Sequence, residues 1–207
     1  MTIRIAGSSS LRRLPDDTAL LAVLESLRER GALGEPSLPR AVAHAEAFLA
    51  PIPPQTRRLI DLGSGGGLPG LVLAARLSST EVVLTERRER RADLLRLAVS
   101  RLGWADRVTV FAGDVVALAR DAQMAAAFDA VTARAFGEPL WTLRCAAAFV
   151  SASGIVVISE PPDTNVGQRW PADQVALLGM APAAPDDFPS VRCFQVGRPM
   201  SRRGGLT

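Results

Sequence analysis

An aspartate two residues ahead of a run of glycines is the part of this sequence best suited to chemistry: Asp61-Leu62-Gly63-Ser64-Gly65-Gly66-Gly67-Leu68-Pro69-Gly70. Apolar Leu59 and Ile60 precede it and the helical pattern Leu71-Val72-Leu73-Ala74-Ala75 follows, so the stretch reads as a buried strand, a tight turn and a helix start. Glycines let a ligand approach the main chain closely, and unpaired N–H groups at a helix N-terminus attract anionic or polar groups. Pro69 suits the first helical turn, where a missing N–H costs nothing. Two further acids follow the next two apolar runs: Glu86, with Arg87 beside it, and Asp114 after Gly113. In open α/β sheets, ligands sit at the carboxyl ends of the strands, where these three acids fall. A nucleotide-like cofactor bound over the glycine turn is the expected ligand.

The elements that position these residues alternate along the chain. Strands are predicted at 58–62, 81–86, 108–111, 128–132 and 154–159, with helices at about 68–77, 88–102, 115–121 and 140–150 between them. Strand–helix units of this length imply a parallel sheet with helices on both faces. Upstream, Asp16 or Asp17 caps a helix that runs to Gly31, and a second runs from about Arg40 to Leu49, carrying His44. Downstream, 168–178 holds a short helix, 180–189 is Pro- and Ala-rich, and 191–196 alternates like a final strand. The organisation expected is an N-terminal helical cap (1–56), one α/β domain (57–198) and a basic tail (199–207) containing Arg202 and Arg203. A mobile basic lead-in with Arg12 and Arg13 precedes the first helix.

Two cofactor classes satisfy the glycine spacing. Gly65, Gly67 and Gly70 fit G-x-G-x-x-G, and Glu86 stands where a dinucleotide fold places an acid for ribose hydroxyls. Both NAD and S-adenosylmethionine present such a diol. Asp61 separates them, because a carboxylate inside the first strand repels a pyrophosphate but suits the ammonium and sulfonium of S-adenosylmethionine. Asp114 offers a second acid, able to accept from an adenine amino group or to cap the next helix. The residues that usually serve hydride transfer are missing as well, so S-adenosylmethionine is the expected cofactor.

Composition narrows the chemistry further. All 24 basic residues are arginine, tyrosine is absent, and His44 is the one histidine of the 207 residues. That excludes a Schiff-base lysine, a P-loop lysine, a Tyr–Lys pair and a multi-histidine metal site. Cys145 and Cys193 match no metal or redox spacing and read as reduced thiols. No run of apolar residues is long enough to span a membrane, and Met1-Thr2-Ile3-Arg4-Ile5 lacks the apolar core of a signal peptide. A cytoplasmic monomer is expected.

The loop ending Leu68-Pro69-Gly70 resembles that of the bacterial small-subunit (16S) rRNA guanine-N7 methyltransferases, also called glucose-inhibited division protein B. Thr132-Ala133-Arg134-Ala135-Phe136 resembles the family's Ser-Arg-Ala-Phe stretch after strand four, and His44-Ala45-Glu46-Ala47-Phe48-Leu49 is faintly similar to its His-x-x-Asp-Ser-Leu helix. The resemblance covers about Leu59 to Ile158. It implies a Rossmann-like class I methyltransferase fold with a mostly parallel seven-stranded sheet, S-adenosylmethionine as methyl donor and 16S rRNA or the 30S subunit as partner. It also implies cofactor contacts at Gly63, Leu68, Asp114, Val115 and Arg134. With the residue-level reading, the candidate cofactor set becomes Asp61, Gly63, Ser64, Gly65, Gly67, Leu68, Glu86, Arg87, Asp114, Val115 and Arg134. Ile158-Ser159-Glu160-Pro161-Pro162 departs from the family's Leu-Lys-Gly, and Ala47 replaces the acid of the helix motif.

No catalytic base is assigned. Guanine N7 has a free lone pair, so catalysis reduces to positioning, which can supply roughly 7–11 kcal/mol. Arg134 is the candidate at the site's edge, fixing the cofactor or meeting the acceptor; Phe136 could stack on a flat acceptor or belong to the core. Arg87, Arg88, Arg90, Arg91, Arg96 and Arg101 form either an RNA surface or a solvated face paired with Glu86, Glu89 and Asp93. A methyltransferase of the same fold acting on a small molecule, and a non-catalytic binding module, are the alternative readings.

Overall fold

The computed structural model describes residues 17–34, 36–162, 165–183, 188 and 190–197. The lead-in with Arg12 and Arg13, the cap candidate Asp16, and the tail with Arg202 and Arg203 lie outside the described residues.

Seven strands among the described residues form one sheet: β1 (Arg58–Leu62), β2 (Glu81–Glu86), β3 (Val108–Ala112), β4 (Phe128–Ala133), β5 (Val150–Ser159), β6 (Met180–Pro182) and β7 (Val191–Val196). Their order is β3-β2-β1-β4-β5-β7-β6, and β7 alone runs antiparallel to its neighbours. Among the described residues eight α-helices accompany them: α1 (Asp17–Glu29), α2 (Leu38–Glu46), α3 (Gly70–Arg76), α4 (Glu89–Arg101), α5 (Val115–Leu118), α6 (Pro139–Ala147), α7 (Val166–Arg169) and α8 (Ala172–Leu177). A 3₁₀ turn, Ala47–Leu49, completes the second predicted helix.

Side chains of successive strand residues point to opposite faces, and the core divides accordingly. Leu59, Val82, Leu84, Ala130 and Val157 pack with α1, α2, α3 and α4, while Ile60, Val83, Val131 and Val156 pack with α5, α6 and α8. Both faces are covered, which is why the central strands are almost continuously buried. Leu20, Val23, Leu24 and Leu27 of α1 and Ala41, Ala45 and Phe48 of the second helical segment lie in the same apolar cluster as β1 and α3. Arg76 at the end of α3 ties them down: its Nη1 reaches Asp17 at 2.5 Å and its Nη2 reaches Glu46 at 2.6 Å.

Three details differ from the sequence expectation. β5 begins at Val150, not Gly154. From Phe128↔Val150 to Ala130↔Ile155 it advances five positions while β4 advances two, a bulge that the pattern alone does not announce. Gly154 fits there because a Cβ would lie 2.7 Å from the Phe128 carbonyl oxygen. The predicted helix 168–178 is two short helices broken at Trp170 and Pro171. Met180–Pro182, in the stretch read only as Pro- and Ala-rich, is a strand at the sheet edge, where a proline's missing N–H costs no ladder bond. Among the described residues no helix is long and apolar enough to cross a membrane.

Candidate active site

The glycine loop leaves β1 and crosses the carboxyl ends of the central strands. Gly63 and Gly65 have φ of +66° and +54°, the left-handed region that a side chain disfavours. A Cβ at Gly63 would also lie 2.5 Å from Cδ2 of Phe136, so the ring closes over the loop. Thr85, the penultimate residue of β2, holds the start of the turn. Its Oγ1 accepts from the Gly63 N–H at 2.9 Å and donates to the Asp61 carbonyl at 3.1 Å, and its carbonyl accepts from the Ser64 N–H at 2.7 Å.

Asp61, expected to face the positive end of the cofactor, lies beneath the loop instead. It is fully buried, and its carboxylate accepts from the Gly70 N–H at 3.2 Å and the Thr132 hydroxyl at 2.7 Å. Burial pushes its pKa up to about 6, against the pull of those hydrogen bonds. The acid therefore fastens the helix start of α3 to β1 and β4. Gly70 is glycine because a Cβ would strike Leu84 and come within 2.8 Å of Asp61 Oδ2. Ser64 and Leu68 are buried, and Gly67 packs against Leu71. These three belong to the underside of the loop rather than to its open face.

The open face is a cleft of about 360 Å³ lined by Gly63, Gly65, Thr85, Glu86, Arg87, Arg88, Arg91, Gly113, Asp114, Val115, Ala135, Phe136 and Trp141. It brings together Gly63, Gly65, Glu86, Arg87, Asp114, Val115 and Phe136 of the expected residues. Glu86 is almost buried and its Oε1 accepts from the Arg88 N–H at 2.7 Å. Asp114 caps α5, accepting from the Val116 N–H at 2.7 Å, while its side chain stays exposed at the cleft. Arg88 and Arg91, left by the sequence between an RNA surface and a solvated helix face, line the cleft because the chain turns from β2 directly into α4. Thr85, Ala135 and Trp141 were not singled out. Trp141 stands five residues beyond Phe136, and only the sharp turn between β4 and α6 places it back at the cleft.

Arg134 lines a neighbouring cavity of about 790 Å³, with Arg40, His44, Ala135, Ser159, Glu160, Pro161, Pro162 and Ser190. Ala135 borders both spaces and holds a φ of +49°, unusual for a residue with a Cβ. Burial lowers the Arg134 pKa. Glu160, the departure after β5, is nearly buried: Oε2 accepts from Trp170 Nε1 at 2.7 Å and Oε1 lies 2.9 Å from Arg169 Nε. Along α4, Arg96 pairs with Glu89 and Asp93, so part of the basic face is neutralised. Cys145 and Cys193 are both buried, and neither forms a disulfide among the described residues.

The sheet order, the single reversed strand and a cleft at the carboxyl ends of β1 to β4 define the class I methyltransferase fold. Solved structures share it: a putative O-methyltransferase from Klebsiella pneumoniae (TM-score 0.60, 15% identity, 90% of this chain and 93% of that one) and the Bacillus cereus O-methyltransferase in complex with SAH (0.61, 15%, 90% and 94%). The family model of GidB, rRNA small subunit methyltransferase G, matches residues 40–160, and the chain belongs to that family. The matched range holds β1 to β5, the whole lining of the cleft and all of the neighbouring cavity's lining but Pro161, Pro162 and Ser190. Ribosomal RNA small subunit methyltransferase G of Sorangium cellulosum is 40% identical over 101 residues, 49% of this chain and 41% of that protein. The Leifsonia xyli protein of the same name is 39% identical over 127 residues, 59% of this chain and 58% of its own. The chain thus spans about two fifths of the first relative and under three fifths of the second.

Proposed function

We propose that this protein transfers the methyl group of S-adenosylmethionine to N7 of a guanine in 16S rRNA, acting on the 30S subunit. The observation that carries the reading is the meeting, at Ala135, of the acid-lined cleft and the cavity that holds Arg40, His44 and Arg134. One space has the donors and acceptors a nucleoside cofactor requires. The adjoining one has cationic groups suited to a polyanionic acceptor. Family membership supports the same pairing.

The residues present fit S-adenosylmethionine. A Cβ built on Gly65 meets nothing closer than the Gly63 carbonyl oxygen, 3.7 Å away, so the loop leaves a cradle that a side chain would fill. Glu86 suits the ribose hydroxyls, and Asp114 with Val115 suits the adenine. Bound there, the cofactor supplies an electrophilic methyl group on a sulfonium. Guanine N7 carries a lone pair and no proton, so the protein needs no general base. Gly63 and Phe136 set the floor and wall, and Arg134 orients the acceptor from the second cavity. Holding the acceptor in line is the protein's contribution, worth roughly 7–11 kcal/mol.

Tritiated methyl transfer to 30S particles lacking the modification tests this. Incorporation into 16S rRNA as N7-methylguanine is expected. Tight cofactor binding with no transfer to 30S particles or to naked 16S rRNA overturns it.

A further inference from the structure

Beyond the cofactor cleft, α6 and α8 frame an open groove of about 380 Å³ lined by Glu138, Leu140, Trp141, Arg144, Gln174, Leu177 and Leu178. Its apolar members are unusually bare. Trp141 is 46% exposed and Leu177 85% exposed. Two large apolar side chains left bare at one groove make it a candidate interaction surface. The charges around it have a particular order. Glu138 lies three residues before Trp141 on the chain and Arg144 three residues after, and all three line the same groove. Arg144 is exposed and has no ion-pair partner among the described residues. The Glu138 carboxylate caps the Leu140 and Trp141 N–H groups at 3.1 and 2.8 Å, which leaves outward lone pairs on both oxygens.

We propose that the groove is a homodimer interface, occupied by a second copy of this chain, in place of the monomer expected from the sequence. Two α6 helices crossing antiparallel at Trp141 place Glu138 of each against Arg144 of the other, because three residues correspond to about 4.5 Å of rise on either side of the crossing. A two-fold axis requires such self-complementarity, and a pattern of minus, apolar, plus centred on one residue supplies it. Trp141 of each copy then seats among Leu140, Leu177 and Leu178 of the other, as an aromatic anchor surrounded by aliphatic contacts. A nucleic acid strand does not match this surface, since three leucines and a carboxylate line it. Trp141 also borders the cofactor cleft, so the interface lies beside its mouth. The inference is independent of the acceptor.

Light scattering on the purified full chain decides it. The wild type is expected at twice the chain's 21.9 kDa at about 100 μM, a concentration at which a dimer with a Kd near 1 μM is almost wholly formed. Leu177→Glu and Arg144→Glu, both at exposed positions, are each expected to give monomers whose thermal transition matches that of the wild type diluted below its dimer Kd. Glu138→Arg is expected to do the same at some cost in helix capping. An equimolar mixture of the Arg144→Glu and Glu138→Arg proteins restores the dimer mass, because each Glu138–Arg144 contact regains opposite charges across the pair. A monomeric wild type overturns the proposal and leaves the groove to another partner. A dimer that survives Leu177→Glu, or a charge-swapped mixture that stays monomeric, overturns it too.

Discussion

Thr132 donates its hydroxyl hydrogen to Asp61 Oδ1 at 2.7 Å, joining β4 to β1 directly beneath the glycine loop. The same carboxylate takes the Gly70 N–H, so one buried acid fixes the depth at which α3 begins. Its pKa, pushed from an ordinary 3.8 to about 6, makes this anchor pH-dependent. The folded state binds the proton more tightly than the unfolded chain, so Asp61 contributes stability that is fully present below about pH 4. That contribution is lost as pH rises through about 6 and stays flat above it. The shift corresponds to roughly 3 kcal/mol. Asp61→Asn removes the titration. Chemical denaturation of both proteins from pH 4.5 to 7.5 is expected to show the wild type losing stability relative to Asp61→Asn up to about pH 6 and no further. A constant difference across that range would show that burial does not perturb the acid.

Asp114 does two jobs that substitution can separate. As the cap of α5 it binds the Val116 N–H, and its exposed carboxylate lines the cleft. Asp114→Ala is expected to cost about 0.5–2 kcal/mol of stability from the lost cap. Asp114→Ser keeps a capping oxygen and should recover most of that. Both are expected to weaken S-adenosylmethionine by about 10–100-fold in calorimetry, the value of a charged hydrogen bond. If the serine variant binds the cofactor like the wild type, Asp114 is a cap alone.

Arg76 joins three helices through one planar head. Its Nη1 meets Asp17 of α1, while Nε and Nη2 both meet Glu46 of α2, and its side chain is 21% exposed. A lysine presents one point charge and cannot reproduce the fork. Arg76→Ala is expected to lower stability by about 1–3 kcal/mol, less than a wholly buried pair and more than a surface one. Arg76→Lys is expected to recover less than half. Amide exchange should show the loss concentrated in α1 and α2, and a uniform loss would refute the bridging role.

How far the sequence carried the reading differs between the scaffold and the site. Strands at 58–62 and 81–86 are found at those bounds because parallel central strands are apolar runs flanked by helical patterns. The bulge at Gly154 and the edge strand Met180–Pro182 were not legible, since both depend on register with a neighbour and not on local composition. In the site, Glu86 and Asp114 fall in the cleft because strand ends are readable from the pattern. Asp61 was misplaced for a physical reason: alternation inside a strand buried on both faces does not tell an acid aimed at a ligand from one aimed at a helix N-terminus. Trp141 and Ala135 reach the cleft through a left-handed backbone turn at an alanine, which composition does not betray. The apolar groove between α6 and α8 was not legible either, since which face of the predicted 168–178 helix Leu177 occupies is set by how α8 packs.

Arg134 offers the sharpest division between cofactor and acceptor. The sequence left it at the edge of both, and the fold sets it in the cavity with Arg40 and His44, across Ala135 from the cleft. A guanidinium drawn below its ordinary pKa by burial is still cationic at neutral pH, and a partly desolvated cation attracts a phosphate or a base edge more strongly than a solvated one. Arg134→Ala is therefore expected to leave the dissociation constant of S-adenosylmethionine within about threefold. It should lower kcat/KM for 30S particles by about 10–100-fold, the value of a charged hydrogen bond made to the acceptor. Arg134→Lys keeps the charge but not the fork, and should fall between the two. If the acceptor's phosphate is what Arg134 holds, the wild-type advantage over Arg134→Ala shrinks as salt rises, because each counterion released on binding gains less free energy in a saltier solution. Equal loss of cofactor affinity and methyl transfer would instead place Arg134 on the cofactor and return the acceptor contact to Arg40 and His44.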